Sequence, residues 1–365
     1  MSFIKQSISN AIDANRDAID SIKEKSLRMR LRKELRAKGD FSSALTSAQQ
    51  KEAAEYWGKY TKHFSPLWHE YFTAKNGRFD VRYIPEDILF TEIEPRINDA
   101  RSDYGIDDKN LYKMYFPEIK HPYAVFRKIA GIYHDDDYNI ISREKAIQNC
   151  VDCGDIILKP CKIRGLGGGI NFWNKSDGVE KLTAMIDEMG DDINAQEIIK
   201  LHPALAKMNP SSCNRVRIMT YSNNEEIIDV FSMFSIGVGE TARMEHGGVN
   251  TVIGPDGKLL KYGKDSSANI IEAHPNGIKF DGYTIPSYDK MLDVCKKMHR
   301  KMSSFRLISW DLTLDENADP VFIEMNLHWG GIMSYQTLVG PLFGDKTDKI
   351  LDEIMSLPSR PIFYK

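Results

Sequence analysis

A chain of 365 residues, 42% of them hydrophobic, is long enough to bury a sizeable core and to divide into two or three subdomains. Its net charge of −3 gives no global pull toward nucleic acid or an anionic membrane, so no nucleic-acid partner is expected. No stretch approaches the ~18 apolar residues of a membrane span, and the first residues lack a basic start with an apolar run. The expectation is a cytoplasmic protein with no integral membrane segment.

Ile4, Ile8, Ile12, Ile19 and Ile22 recur at near-helical spacing, and Leu27, Leu31 and Leu35 continue at intervals of a turn, which predicts amphipathic helices. Their second part is basic, with Arg28, Arg30, Arg32, Lys33, Arg36 and Lys38. Such a face suits either a membrane surface or polyanion, or plain solvent. A further helical stretch from Ser47 to Thr73 carries Tyr56, Trp57, Tyr60, Phe64, Trp68, Tyr71 and Phe72 as packing residues, with Pro66 marking a break. His63 and His69 lie among these aromatics as structural histidines or ligand contacts. Asp108 is a candidate N-cap for a helix beginning near Lys109.

Asp155–Pro160 reads as a short apolar strand tipped by Lys159, and Arg164, Gly165, Gly167, Gly168 and Gly169 follow it. Glycines permit positive φ and close backbone approach, and successive N–H groups form an anion nest, so strand, lysine and loop together suit a phosphate cover. The loop is neither a Walker P-loop, since no G-K-[ST] follows, nor a dinucleotide fingerprint, since Ile170 occupies the final glycine position. A second apolar strand, Ala195–Ile199, runs into a polar turn at His202. Arg217 lies on a strand that begins near Asn214, and its facing cannot be fixed from period alone. Arg243 and His246 lie in a turn beyond the strand Val230–Val238. Ser287–Ser303 carries a helical apolar pattern. Cys150, Cys153, Cys161, Cys213 and Cys295 form an odd, scattered set without paired zinc spacing, and read as reduced structural thiols.

The stretch Leu307–Asn326 carries the most chemistry. Ile308–Leu314 and Val321–Met325 are rich in strand formers and flank a polar turn, which predicts a hairpin. Closing it with Asp315 opposite Pro320 sets Asp311 against Glu324, and the strand period puts Asn326 on the face of Glu324. Facing carboxylates repel, so the pair needs a cation. Mg²⁺, held by one or two carboxylates and by substrate phosphates, meets that need.

Asp311, followed by Ile323-Glu324-Met325-Asn326 at the end of a strand pair, resembles the magnesium-binding strands of the ATP-grasp superfamily. The wording is closest to its sugar-transfer-associated family, found among capsule and surface-polysaccharide genes. Phe79–Pro85, Lys109, the Lys159 strand with its glycine loop, Asn214–Thr220 and the His246-Gly247-Gly248 turn are similar to that family in the same order. The resemblance implies an α/β (α+β) ATP-grasp fold, in which two α+β lobes clasp ATP after an N-terminal helical region. It divides the chain into an N-terminal helical region (1–78), a pre-grasp segment (79–120), a small lobe with glycine loop and hinge (121–205) and a large lobe with the metal site (206–365).

The same resemblance implies site residues. Lys109 and Lys159 would contact nucleotide phosphates under Gly165, Gly167, Gly168 and Gly169. Gln196, Glu197, Ile198 and Ile199 would line the adenine side through the hinge backbone, and His202 would reach ribose or only cap its turn. Asp311, Glu324 and Asn326 would hold Mg²⁺. Some ATP-grasp ligases carry an arginine two positions before the metal aspartate, where this chain has Ser309, so that work falls to Arg217 or Arg243. The implied activity is an ATP-dependent carboxylate–amine ligase that joins a uronic-acid sugar, nucleotide-linked or not, to an amino acid or amine. The competitors are a kinase on the same fold and a silent nucleotide-binding scaffold in a glycan assembly complex; a homodimer is left open.

Overall fold

The computed structural model describes residues 21–22, 24–33, 45–161, 169–239, 248–267, 269–328 and 330–358. Among these, two antiparallel sheets carry the molecule. The smaller is built from β1 (Ala124–Ile129), β2 (Ile132–His134), β3 (Ile156–Pro160), β4 (Asn171–Trp173) and β5 (Ile193–Glu197), in the order β2-β1-β5-β3-β4. The larger comprises β6 (Arg215–Ser222), β7 (Ile227–Gly237), β8 (Gly248–Ile253), β9 (Leu259–Lys264), β10 (Ile270–Ile271), β11 (Leu307–Leu314) and β12 (Pro320–Asn326). Its order is β10-β9-β8-β7-β6-β11-β12, so the predicted hairpin forms one edge.

Alternation along each strand gives each sheet two unlike faces. Ile156, Leu158, Ile193 and Ala195 of the small sheet pack against Ala146 and Cys150 of the helix Arg143–Cys153 and against Leu182 and Ile186 of the helix Val179–Glu188. Lys159 and Asn194, which sit opposite each other, and Gln196 point the other way, toward the large sheet. On the large sheet, Val216, Ile218, Phe234, Trp310, Leu312 and Phe322 bury against Met291, Cys295 and Met298 of the helix Tyr288–Arg300. That helix carries Asp289 in its first turn and Lys297, His299 and Arg300 in its last, as the helix dipole favours.

The other face of the large sheet is covered over only part of its area. Met219, Tyr221, Phe231, Met233, Val252 and Leu307 share a core with Trp57, Trp68, Phe72, Ile88 and Ile97 from the N-terminal third, and with Ile350, Leu351 and Ile354 near the end of the chain. The helix Ser47–Trp57 starts at a capping box between Thr46 and Gln49. Pro66 stands as the N-cap of the next helix, Leu67–Asn76. Asn98, 1% exposed, ties this region to the β11–β12 hairpin: its amide nitrogen donates to the carbonyls of Leu307 and Leu327, and its oxygen accepts from the N–H groups of Arg306 and Leu307.

The structure corrects some of these expectations and meets others. Ile22 does not join the core but is 67% exposed, whereas Leu27 and Leu31 are buried. The basic helix is not wholly a free face, because Arg28 donates to Asp87 at 2.6 Å and Arg30 to Glu86 at 2.9 Å. Both acids are buried. Asp108 does not cap a helix: its carboxylate accepts from the N–H of Asn110, and the helical turn Tyr112–Tyr115 begins later. His69 is fully buried with Nε2 3.0 Å from the Val81 carbonyl, a structural histidine whose pKa burial lowers to about 4. All five cysteines are free thiols, Cys153 and Cys213 exposed and the rest buried. Among the described residues no helix is long and apolar enough to cross a membrane.

Candidate functional site

Asp311 and Glu324 are directly paired across β11 and β12, with Ser309 opposite Asn326. The hairpin reaches that register by a route the sequence did not reveal. Pro320 pairs with Leu314 rather than Asp315, one residue short of the expected closure, and a β-bulge between Asp311 and Leu312 restores the step. The extra residue is Ile323, since Leu312 faces Phe322 while Asp311 faces Glu324. In an unbroken strand Phe322 and Glu324 would share a face, and the carboxylate would be driven into the aromatic core. With the bulge, Phe322 and Met325 both enter that core and Glu324 turns to the cleft.

The cation that the facing acids require is supplied here by side chains. Arg217 sits opposite Asp311 and grips it with two parallel hydrogen bonds, Nε to Oδ1 and Nη2 to Oδ2, each 2.7 Å. Arg215 brings its Nε within 3.2 Å of Asp311 Oδ2. Arg217 therefore faces away from Asn214, whose amide donates to the carbonyls of Leu205 and Asn209. Lys109 Nζ lies 3.3 Å from Glu324 Oε2. Asp311 is sealed from solvent, while the Glu324 side chain keeps 25% of its surface. Burial works against ionisation of Glu324, but Lys109, Arg215, Lys159 and Arg217 together hold its pKa well below the ordinary carboxylate value. Burial likewise opposes the charge on Lys109, and Glu324 and Asp107 overcome it, so that lysine's pKa is raised. Lys159 goes the other way: burial pulls its pKa down more than Cys213 and Glu324 push it up.

From the small sheet, Lys159 meets this cluster beside Asn194. The Asn194 amide nitrogen donates to Asn110 Oδ1 at 3.0 Å, and Asn110 also receives Arg127 and Tyr138 on its carbonyl oxygen. This clamp fixes the residue next to Lys109 to the small sheet while the lysine reaches the large one. Asn194 Oδ1 and Gln196 Oε1 are buried acceptors with no partner among the described residues, both on the cleft face. Glu197 and Ile198 are exposed at the strand end, and the Glu197 N–H donates to the Tyr123 carbonyl. Ile199 is half-buried, and Leu201 bridges to Asp315, so this segment runs from the small sheet to the β11–β12 hairpin. His202 caps its turn, its Nδ1 accepting from the N–H of Ala204.

Gly169 has φ +81, a left-handed conformation that glycine adopts without strain. Gly165, Gly167, Gly168, Arg243 and His246 lie outside the described residues. Beyond β12, Gly331 has φ +83 and a Cβ there would come within 3.0 Å of Arg217 Nη1, so the chain turns tightly over the arginine. Ser309, which stands where an arginine was looked for, is buried and donates to the Gly330 carbonyl. Arg217 fills the space beside Asp311 from the neighbouring strand instead.

Among the described residues no group of three or more His, Cys, Asp or Glu side chains could hold a metal. The candidate set is two carboxylates and an amide, oxygen donors of the hard kind that suit Mg²⁺. Asn326, opposite Ser309, is placed beside the acids, and its buried amide nitrogen has no hydrogen-bond partner among the described residues, a donor left for an acceptor. Arg215 was missed by the sequence reading although it shares the period-two face of Arg217, a signal that could have found it. Asn110 and Asn194 carry no local signal, since their roles come from contact between distant segments.

The model of the sugar-transfer associated ATP-grasp family matches residues 89–340. Among solved structures, D-alanyl-alanine synthetase A from Vibrio cholerae aligns at 10% identity and TM-score 0.44, covering 71% of this chain and 66% of that one. The VanG D-Ala:D-Ser ligase from Enterococcus faecalis aligns at 12% identity and TM-score 0.43, covering 72% and 64%. A biotin carboxylase from Campylobacter jejuni aligns at 14% identity and TM-score 0.41, covering 70% and 47%. The chain thus spans less than two thirds of each of these structures. The comparison with curated proteins gave no match.

Proposed function

The chain belongs to the sugar-transfer associated ATP-grasp family, and from that premise we propose that it is an ATP-dependent carboxylate–amine ligase working through an acyl phosphate. Its acid is a uronic-acid sugar, its partner an amino acid or amine, and its setting the cytoplasmic synthesis of capsular or surface polysaccharide. The observation that carries the reading is the meeting of Lys109 and Lys159 with Glu324, Asp311 and the two arginines in one cleft.

A carboxylate does not condense with an amine in water because its leaving group would be oxide. Phosphoryl transfer from ATP turns that oxide into phosphate, and the amine then attacks the acyl carbon. Lys109 and Lys159 hold the phosphate oxygens, and the buried acceptors of Asn194 and Gln196 take donors from the nucleotide. Asp311, Glu324 and Asn326 would hold Mg²⁺, which supplies neutralising charge at the phosphates. Arg217 has committed Nε and one Nη2 hydrogen to Asp311, and its remaining donors stabilise charge developing on the transferred group, with Arg243 as a second source. Because Lys109 is paired with Glu324, reaching a phosphate requires the lysine to release that carboxylate, which would then be free to hold the ion.

Incubation with Mg-ATP, candidate uronates and hydroxylamine tests this directly. A hydroxamate formed together with ADP supports the ligase. A stable phosphate ester would make the protein a kinase, and no ADP from any mixture would leave it a scaffold.

A further inference from the structure

An ion pair crosses from one sheet to the other: Lys109 Nζ lies 3.3 Å from Oε2 of Glu324 on β12. The backbone beneath that lysine belongs with the small sheet. Asn194 of β5 donates to the Lys109 carbonyl at 3.5 Å and to Asn110 Oδ1 at 3.0 Å, and the Asn110 amide donates to the Lys128 carbonyl of β1 at 3.1 Å. Asn110 and Asn194 are sealed from solvent, so these bonds face no competition from water. Glu324 is fixed from the other side, paired in register with Asp311, whose two oxygens are taken by Arg217. The lysine's stem is four flexible carbons, so its ammonium can turn while both backbones stay in place. Among the described residues, Lys109 has no second carboxylate within ion-pair distance, and Glu324 no second ammonium or guanidinium.

Resting on the ligase reading above, we propose that Lys109 and a divalent ion compete for Glu324, and that a nucleotide decides the competition by drawing the ammonium to its phosphates. Two cations on one carboxylate repel, and the repulsion is strong where burial limits screening. A divalent ion offered by itself must therefore displace an ammonium that has no other carboxylate at hand. A nucleotide offers that ammonium several phosphate oxygens in place of one carboxylate, and the same phosphates bring further ligands for the ion. Lys109 thus makes uptake of the ion conditional on the nucleotide, a control that lies in the lysine's reach and not in the carboxylates themselves.

The test titrates Mn²⁺ into the nucleotide-stripped protein and reads the free ion by electron paramagnetic resonance. Lys109→Met should take up Mn²⁺ at least about tenfold more tightly than the unaltered protein, and Lys109→Arg, which keeps a cation beside Glu324, as weakly as the unaltered one. Glu324→Gln made on top of Lys109→Met should erase the gain. In EDTA, calorimetry should show ADP bound about tenfold more weakly by Lys109→Met, because its phosphates lose the ammonium. A lysine of merely structural weight would, when replaced, weaken both ligands and strengthen neither. Should Lys109→Met not fold, Lys109→Gln, uncharged but still a donor, takes its place. Uptake no tighter in the variant than in the unaltered protein, a gain that survives Glu324→Gln, or ADP held equally by both overturns the competition. None of these readings needs an acid or turnover, so a failed hydroxamate assay removes the ligase and leaves the competition to stand or fall on Mn²⁺ and ADP binding.

Discussion

Two ends of one sheet face use the same strands for opposite purposes. On β6, Arg215 and Arg217 share a face with Met219 and Tyr221; on β11, Asp311 shares one with Leu307 and Ser309. The arginines line the cleft and cover the sealed aspartate, whereas Met219, Tyr221 and Leu307 lie under aromatic helices from the N-terminal third. Strand periodicity is identical at both ends, so the difference lies in what covers them. The N-terminal region thus forms the wall at which the charged site stops, and Asn98 anchors it to the start of β11 and to Leu327 just past β12.

That contrast can be broken from either side. At the charged end, Glu324→Gln should lower kcat about a thousandfold, since the proposed metal needs that charge, with melting changed by a few degrees at most because only the partly exposed pairing with Lys109 is weakened. Activity retained within tenfold would contradict the metal assignment. At the covered end, Trp68→Ala should cost about 3–5 kcal/mol in chemical denaturation while KM for ATP in the folded fraction stays within twofold. A large change in KM would mean that the wall also shapes the nucleotide site.

The basic helix sharpens the comparison at smaller scale. Arg28→Ala leaves Asp87 buried without its partner and should destabilise by about 3 kcal/mol. Arg30→Ala exposes a pair whose arginine is already 49% accessible and should change stability by less than about 1 kcal/mol. Equal losses in urea titrations would show that the two arginines do the same work. The smallest effect concerns pH. Glu324 has a folded pKa below its unfolded value, so its pairing with Lys109 stabilises fully above the ordinary carboxylate pKa and is lost as pH falls through the depressed one. The small melting difference between the unaltered protein and Glu324→Gln should therefore be present at neutral pH and close in acid; a difference that persists there would exclude this pair as its source.

Much of the site was legible because its signals are local. Lys159 at a strand tip and the acids of a hairpin need only a short window to be read. The Asp311–Glu324 pairing was reached through a register that was wrong at the turn and correct at the acids, because an unforeseen bulge at Ile323 compensated. Reading the facing acids as a demand for a cation was sound, but three cationic side chains already answer it. Arg215 could have been read from its spacing to Arg217. Asn98, Asn110 and Asn194 could not, since each is defined by partners far away in the chain.

By itself the sequence determined which segments alternate, which residues carry charge and in what order the Lys159 strand and the acidic hairpin come, because strand period and turn chemistry act over a few residues. Only the tertiary structure decided which charge neutralises which, which half of a sheet face is covered, and that the backbone of Lys109 is held to the small sheet while its ammonium meets the large one. Those outcomes depend on strand neighbours and bulges joining residues far apart in sequence, and no local pattern encodes them.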